Sequence, residues 1–286
     1  MSDVPLPPPL SPGHPLFGLG YSSTHREYPY VALHGDAASS SSADVAEEVP
    51  IAFVYNGRPH VVMMATPSDF EDFGTGFSLS EEIVGSLFEL ERIEVVPYSQ
   101  GVELQIQIPP ARAEAVAGRD RQLAGRTGCG LCGVQTITDA LRPTRTVAQR
   151  WTLRPGALWR AESQLAARQE LNRTTKAVHA AAWAGPDGEL RVVREDVGRH
   201  NALDKVIGAL AREGVDPSAG FVVMTSRASY ELVQKAAAAG IPLLAAVSRP
   251  TGLAVRLADA AGMTLVALLR GESGNVYTHA ERIEAG

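Results

Sequence analysis

Residues 189–270 run ELRVVRED (189–196), ALDKVIGALARE (202–213), GFVVMTS (220–226), YELVQKAAAAG (230–240), IPLLAAVS (241–248), LAVRLADAAG (253–262) and MTLVALLR (263–270). Short continuous apolar runs alternate with segments whose apolar residues recur at the helical period. That alternation predicts a largely parallel sheet with right-handed crossovers and helices on both faces, a three-layer α/β domain over residues 134–286. Asn201 and Ser229 stand where helix N-caps belong, and Gly240 and Gly262 where helices should stop. No repeat is legible beyond the alternation.

Toward the N-terminus the rhythm changes. IAFVYNGRPHVVMMAT (51–66) predicts two strands around Asn56-Gly57, a favoured hairpin pair. In SDFEDFGTGFSLSEEIV (68–84), Ser68 is placed to cap a helix whose Phe70, Phe73 and Phe77 form a core stripe. RIEVVPYS (92–99) and GVELQIQIP (101–109) add two strands, with Val102, Leu104, Ile106 and Ile108 alternating against polar neighbours. The fold class is therefore α/β, a small α+β domain over residues 49–110 preceding the larger α/β domain. Residues 1–48 read as a flexible segment: the start is proline-rich and 36–48 is a run of Ala, Ser and acidic residues. Residues 16–33 remain unassigned, their aromatics suited to docking or to an edge strand. Residues 111–133 read as a mobile basic loop, with four arginines and three glycines between Ala111 and Gly128.

Composition sets the chemistry. Of 286 residues, 45% are hydrophobic and 20% charged, a globular balance; the net charge of −6 and pI near 5.7 offer no global attraction to nucleic acid or anionic lipid. No run approaches a membrane span and the N-terminus lacks a signal-peptide pattern, so a cytoplasmic protein is expected. The only two cysteines, Cys129 and Cys132, form TGCGLCG directly before VQTITDALR, a short amphipathic helix pattern. Two randomly placed cysteines would fall three apart about once in a hundred chains of this length. A helix N-terminus and Arg126 would favour the thiolate, lowering the thiol pKa below its free value of about 8.5. Four readings compete: a zinc site shared between two copies, a thioredoxin-like oxidoreductase, an inert pair, and a sulfur carrier on a loop that visits two partners. No set of four ligands is legible for zinc within the chain, so no metal is expected.

Ligands of open parallel sheets bind beyond the carboxyl ends of strands. Those ends carry Arg199 and His200, Arg227, Arg249 and Arg270. Guanidinium forks suit a diphosphate. The bland reading is carbonyl capping and ion pairing, in a chain with only 3 lysines. For His200 and His179 a structural role is the simpler reading. No Walker or standard dinucleotide glycine motif is present.

GRTGCGLCGVQTI, VHAAAW, VREDVGRHNALDKVIG, SRASYELVQKAAAAGIPLLAAVSRPTGLAVRLA and TLVALLRGESGNVYTH together resemble the FdhD family of formate dehydrogenase accessory sulfurtransferases, over roughly residues 49–279. The resemblance implies a larger domain similar to the cytidine deaminase fold, without that enzyme's H-x-E zinc motif. It further implies sulfur transfer from a cysteine desulfurase, through a persulfide on Cys129 with Cys132 beside it, to the Mo-bis(molybdopterin guanine dinucleotide) cofactor destined for formate dehydrogenase. The family's cofactor-contacting segment falls on Leu268, Leu269, Arg270, Gly271, Glu272 and Ser273, where Glu272-Ser273 stands in place of the family's basic residue. Lys176-Ala177 and the 36–48 stretch also depart from the family pattern. Arg199, His200, Arg227 and Arg249 complete the expected cofactor site, with GDP as a mimic. The expected partners are a cysteine desulfurase, formate dehydrogenase and a second copy of the chain. A cofactor-binding chaperone that moves no sulfur is the alternative.

Overall fold

A computed structural model describes residues 23–120 and 145–284. Cys129, Cys132, Arg126 and the helix expected after Gly133 lie outside the described residues.

The small unit is built on β3 (Val49–Tyr55) and β4 (Arg58–Ala65), antiparallel about Asn56 and Gly57 at φ 48° and 77°, the conformation that makes Asn-Gly a hairpin turn. β5 (Arg92–Tyr98) and β6 (Gly101–Gln107) complete a four-stranded sheet of order β4-β3-β6-β5, with β3 and β6 parallel. Val102, Leu104, Ile106 and Ile108 are buried, as their alternation predicts. α1 (Phe70–Ser80) lies across this sheet, the rings of Phe73 and Phe77 packing on Phe53 at 5.0 and 4.4 Å. Its N-cap is Asp69 in the left-handed region, not Ser68; the Ser68 hydroxyl instead accepts from Lys205 Nζ at 3.3 Å.

Two segments expected to be irregular are ordered. β1 (His25–His34) and β2 (Ala37–Ala46) form an antiparallel hairpin across Gly35 at φ 58°, inside the segment read as flexible. α2 (Pro110–Asp120) occupies the first part of the stretch read as a basic loop. Proline suits its first position, and Val116 anchors it in the core of the small unit.

The large unit contains α3 (Pro155–Arg168), α4 (Glu170–Thr175), β7 (His179–Ala184), β8 (Leu190–Asp196), α5 (Arg199–Arg212), β9 (Phe221–Met224), α6 (Tyr230–Ala238), β10 (Leu243–Ala246), α7 (Gly252–Ala260), β11 (Thr264–Arg270) and β12 (Ser273–Thr278). Its six-stranded sheet has the order β12-β11-β10-β9-β7-β8. Only β9, β10 and β11 pair in parallel; β7 is antiparallel to both β8 and β9, and β12 to β11. The expectation of a largely parallel sheet therefore holds only at the centre. The flanking connections, residues 185–189 and Gly271-Glu272, are too short for a parallel crossover and fold as hairpins. Helices cover both faces: α3 sets Leu158, Ala161 and Leu165 against Phe221, Val223 and Leu243, while α5, α6 and α7 set Leu203, Leu232 and Ala258 against Val222, Leu244 and Leu265.

A repeat is present after all. β9, its loop and α6 recur twenty-two residues later as β10, its loop and α7. Ala246 pairs with Met224, Pro250 bridges Ala228, and both helices stop at a left-handed glycine, Gly240 or Gly262. The closing hydrogen bonds also match: Ile241 N to Ala236 O at 2.9 Å, and Met263 N to Ala258 O at 2.8 Å.

The two units share a helix crossing. A Cβ on Gly76 of α1 would lie 1.7 Å from the Asp204 carbonyl oxygen, and one on Gly208 of α5 would lie 1.8 Å from that of Asp72. Only glycine permits backbones this close.

Candidate functional site

Because β7 is antiparallel to both β8 and β9, strands β8 to β11 all point the same way. Their carboxyl ends share one edge of the sheet, where β7 and β12 begin. Along that edge stand Arg270 to Ser273, Arg249, Arg227, His179, and Arg199 with His200.

The start of α5 is fixed by one carboxylate. Asp196, fully buried, accepts from Thr66 N at 3.0 Å, Gly198 N at 2.8 Å and Asn201 Nδ2 at 2.9 Å, and lies 2.7 Å from Lys205 Nζ. Asn201 is thus no N-cap; Gly198 holds that position, and Asn201 also donates to Met64 O at 2.9 Å. In DVGRHNALDK the residues Asp196, Asn201 and Lys205 therefore serve the architecture and leave Arg199 and His200 to face the edge. Arg199 Nε and His200 Nε2 are buried without a hydrogen-bond partner among the described residues. His200 Nε2 approaches Glu231 at 3.8 Å, the range of an ion pair rather than a hydrogen bond.

Two neighbours complete the cluster. Glu231, in the first turn of α6, has its carboxyl pushed down to about 2, first by its contact with His200, with the Ser229 hydroxyl adding to it against the cost of burial. His179, half-buried at the start of β7, is held below its ordinary value by burial and then by its neighbours Arg199 and His200.

The loops after β9 and β10 bring Arg227 and Arg249 side by side. Both are exposed, as is Arg270, and none of the three makes an ion pair or a side-chain hydrogen bond among the described residues. By contrast, Arg194 and Arg212 both bind Asp72, at 2.7 and 2.5 Å. The 268–273 segment divides. Leu269 is fully buried among core residues facing α3, so its side chain is not available to a ligand; Leu268 is half-buried at φ 57°, and Arg270, Gly271, Glu272 and Ser273 are exposed around a tight turn. Leu268 N donates to Ser248 O at 3.2 Å, tying the segment to the loop of Arg249.

One cation was not anticipated from sequence. Arg256 Nη1 lies 3.6 Å from where a Cβ on Gly252 would sit, so this guanidinium folds back over the first turn of α7. Its spacing of four from Gly252 is the signal that could have found it. Among the described residues no cluster of three His, Cys, Asp or Glu could hold a metal, and no helix is long and apolar enough to cross a membrane.

Fold and edge together define a two-unit α/β protein with arginines unpaired among the described residues and helix N-termini along one sheet edge, and with a cysteine pair in the sequence joining the units. The chain belongs to the FdhD/NarQ family, which it matches over residues 46–284. It is 52% identical over 257 residues to the sulfur carrier protein FdhD of Xanthomonas euvesicatoria pv. vesicatoria, covering 90% of this chain and 92% of that one. It is 48% identical over 246 residues to the sulfur carrier protein FdhD of Bordetella petrii, covering 86% and 88%. A crystal structure from Desulfotalea psychrophila, assigned as a formate dehydrogenase accessory protein, superposes with a TM-score of 0.73 at 27% identity, covering 92% of this chain and all of that one.

Proposed function

We propose that this chain is a sulfur carrier in formate dehydrogenase maturation: Cys129 takes a persulfide sulfur from a cysteine desulfurase and delivers it to a Mo-bis(molybdopterin guanine dinucleotide) cofactor seated at the strand-end edge. In the loading step the Cys129 thiolate attacks the outer sulfur of the donor's persulfide. One S–S bond forms as another breaks, the donor leaves as a thiolate, and the outer sulfur keeps its proton. The observation that carries the cofactor reading is the set of guanidiniums without a partner among the described residues, Arg227, Arg249 and Arg270, gathered at one edge with the buried Arg199 Nε, likewise unsatisfied among those residues. That donor set fits phosphate oxygens. When bound, the cofactor supplies the molybdenum that accepts sulfur; the protein's arginines hold its diphosphates. Cys132 stands close enough in sequence to assist or resolve the persulfide, and a second copy of the chain is the expected oligomeric partner.

Two measurements test this. Mass spectrometry after incubation with a cysteine desulfurase and cysteine should show one added sulfur on wild type and none on Cys129→Ala, and the variant should fail to activate formate dehydrogenase. Full activation by Cys129→Ala would leave only the chaperone reading. In calorimetry GDP should bind saturably, and Arg227→Ala or Arg249→Ala should each weaken it by roughly ten- to a hundredfold, the loss of a charge-assisted hydrogen bond of about 1.5–3 kcal/mol. Equal binding by wild type and the double variant would move the cofactor elsewhere.

A further inference from the structure

Among the described residues eleven large apolar side chains are exposed, and seven of them stand in two places: Tyr28, Tyr30, Val31, Leu33 and Val45 on the β1–β2 hairpin, and Val62 and Met64 on β4. The hairpin is a two-stranded sheet of its own. Its base is closed by Glu47 N donating to Thr24 O at 2.9 Å and by the Tyr28 hydroxyl donating to Glu47 at 3.1 Å, and β2 touches α4. A ribbon of two strands is marginal in water unless a face is packed. Pro29, Val31 and Leu33 share one face with Ser42, Ser40 and Ala38, so that face carries no charge from Pro29 to the turn. Solvated edge strands are ordinarily blunted by charge, lysine above all, and residues 25–46 contain no lysine. Leu33 is nevertheless 75% exposed and Val31 60%.

Strand β4 offers the complementary surface. It is an edge strand of the small sheet; Val61 and Met63 turn into the core, and Val62 and Met64 turn outward. At its start stands Arg58, and at the hairpin tip stands Asp36. Both are exposed, and neither makes an ion pair or a side-chain hydrogen bond among the described residues. The spacings agree: Leu33 and Val31 lie three and five residues from Asp36, and Val62 and Met64 four and six residues from Arg58. At about 3.3 Å per residue, a ribbon laid along β4 with Asp36 at Arg58 brings Leu33 and Val31 within one residue of Val62 and Met64.

We infer that the hairpin is an exchanged arm: β1–β2 of one copy lies on the outward face of β4 in a second copy, tip toward Arg58, and a twofold axis returns the contact. One chain holds both halves, so a second copy covers both apolar patches on both molecules at once, whereas an unrelated protein on the arm would leave β4 bare. Each copy contributes an arm of twenty strand residues and a receiving strand, within the roughly 20–30 residues a side of a stable interface. The inference rests on the expectation that a second copy is the partner, and adds the surfaces that meet.

Sedimentation equilibrium on the full chain tests it. Wild type should dimerise, and Leu33→Asp and Val62→Asp should each raise the dimer dissociation constant by about a hundredfold or more, the scale of a lost interface anchor. Asp36→Arg and Arg58→Asp should each raise it by about tenfold, because the twofold axis counts a modest exposed ion pair twice. The double reversal should restore dimerisation to within a few-fold of wild type, which a merely structural role for either residue would not do. If Leu33→Asp melts the hairpin by circular dichroism, Val62→Asp and the reversals still decide. A dimer indifferent to Val62→Asp, or a double reversal no tighter than the single ones, overturns the exchanged arm while keeping the second copy as partner. A monomeric wild type overturns both.

Discussion

His179 records the electrostatics of the edge. It is half-buried, with Arg199 and His200 nearby, and all three influences push its pKa below the ordinary 6.5. As pH falls through 6.5 the unfolded chain takes up the proton before the folded one does, and linkage then makes stability fall with pH. The neutral His179 contribution is thus fully present above that value and is lost below it. Replacing His179 with Gln should remove this slope. Urea midpoints measured at about pH 7.5 and 5.5 should drop for wild type and drop measurably less for His179→Gln; parallel drops would show that His179 is not held neutral. Much of this cluster was legible as residues: Arg199, His200, Arg227 and Arg249 all reach the edge. Glu231 and Arg256 were not, because an acid in a first helical turn and an arginine on an exposed helix face are ordinary features until the fold sets them beside other groups. Leu269 reaches the edge by its backbone alone, since strand geometry turns its side chain into the core.

Helix α1 joins the two units at the element scale, and the joint is a glycine crossing. Alanine at Gly208 would gain about 1 kcal/mol of helix propensity. It would also press a methyl carbon to 1.8 Å from the Asp72 carbonyl oxygen, a backbone atom that cannot swing away. Overpacking costs about 1–3 kcal/mol and can exceed that range when backbone must move, so the clash wins. Gly208→Ala should lower the urea midpoint with the m-value unchanged, and a variant as stable as wild type would show that the helices part freely. The elements most visible in sequence were those with strong periodicity: the 51–66 hairpin, the phenylalanine stripe, and the alternation after residue 189. The β1–β2 hairpin escaped because its serines and alanines bury almost nothing, and its signal was only the Gly35-Asp36 turn pair. The repeat escaped because strand and helix contents differ between its copies; what recurs is the Ser-Arg loop and the closing Ala-Gly.

At the scale of the whole molecule, the question is whether two hydrophobic cores behave as one. Leu79 packs against both, and the interface between them is unusually polar. Lys205, fully buried in α5, donates to Thr66 O at 3.0 Å and sits 2.7 Å from Asp196 Oδ2, whose other contacts include Thr66 N. Lys235, on α6, reaches Asp204, Ser80 and Glu81 at 2.8–3.0 Å. Burial alone would lower the Lys235 amine, but Asp204 and Glu81 raise it on balance, so it stays charged and binds α1 to the large unit. Separating the units would return these charges to water, so the pairs fix how the units fit more than they add net attraction, whereas removing one partner leaves the other buried and unpaired. All three tryptophans, Trp151, Trp159 and Trp183, belong to the large unit, so their fluorescence reports that unit while far-UV circular dichroism reports both. The two signals should give one coincident urea transition in wild type. Lys205→Met leaves the Asp196 carboxylate buried without its cation and should cost about 3–5 kcal/mol, moving both signals together to lower urea. A dichroism transition that separates from the fluorescence transition in wild type would mean that the small unit unfolds independently, and that the Asp196–Lys205 contact positions the edge without coupling the cores.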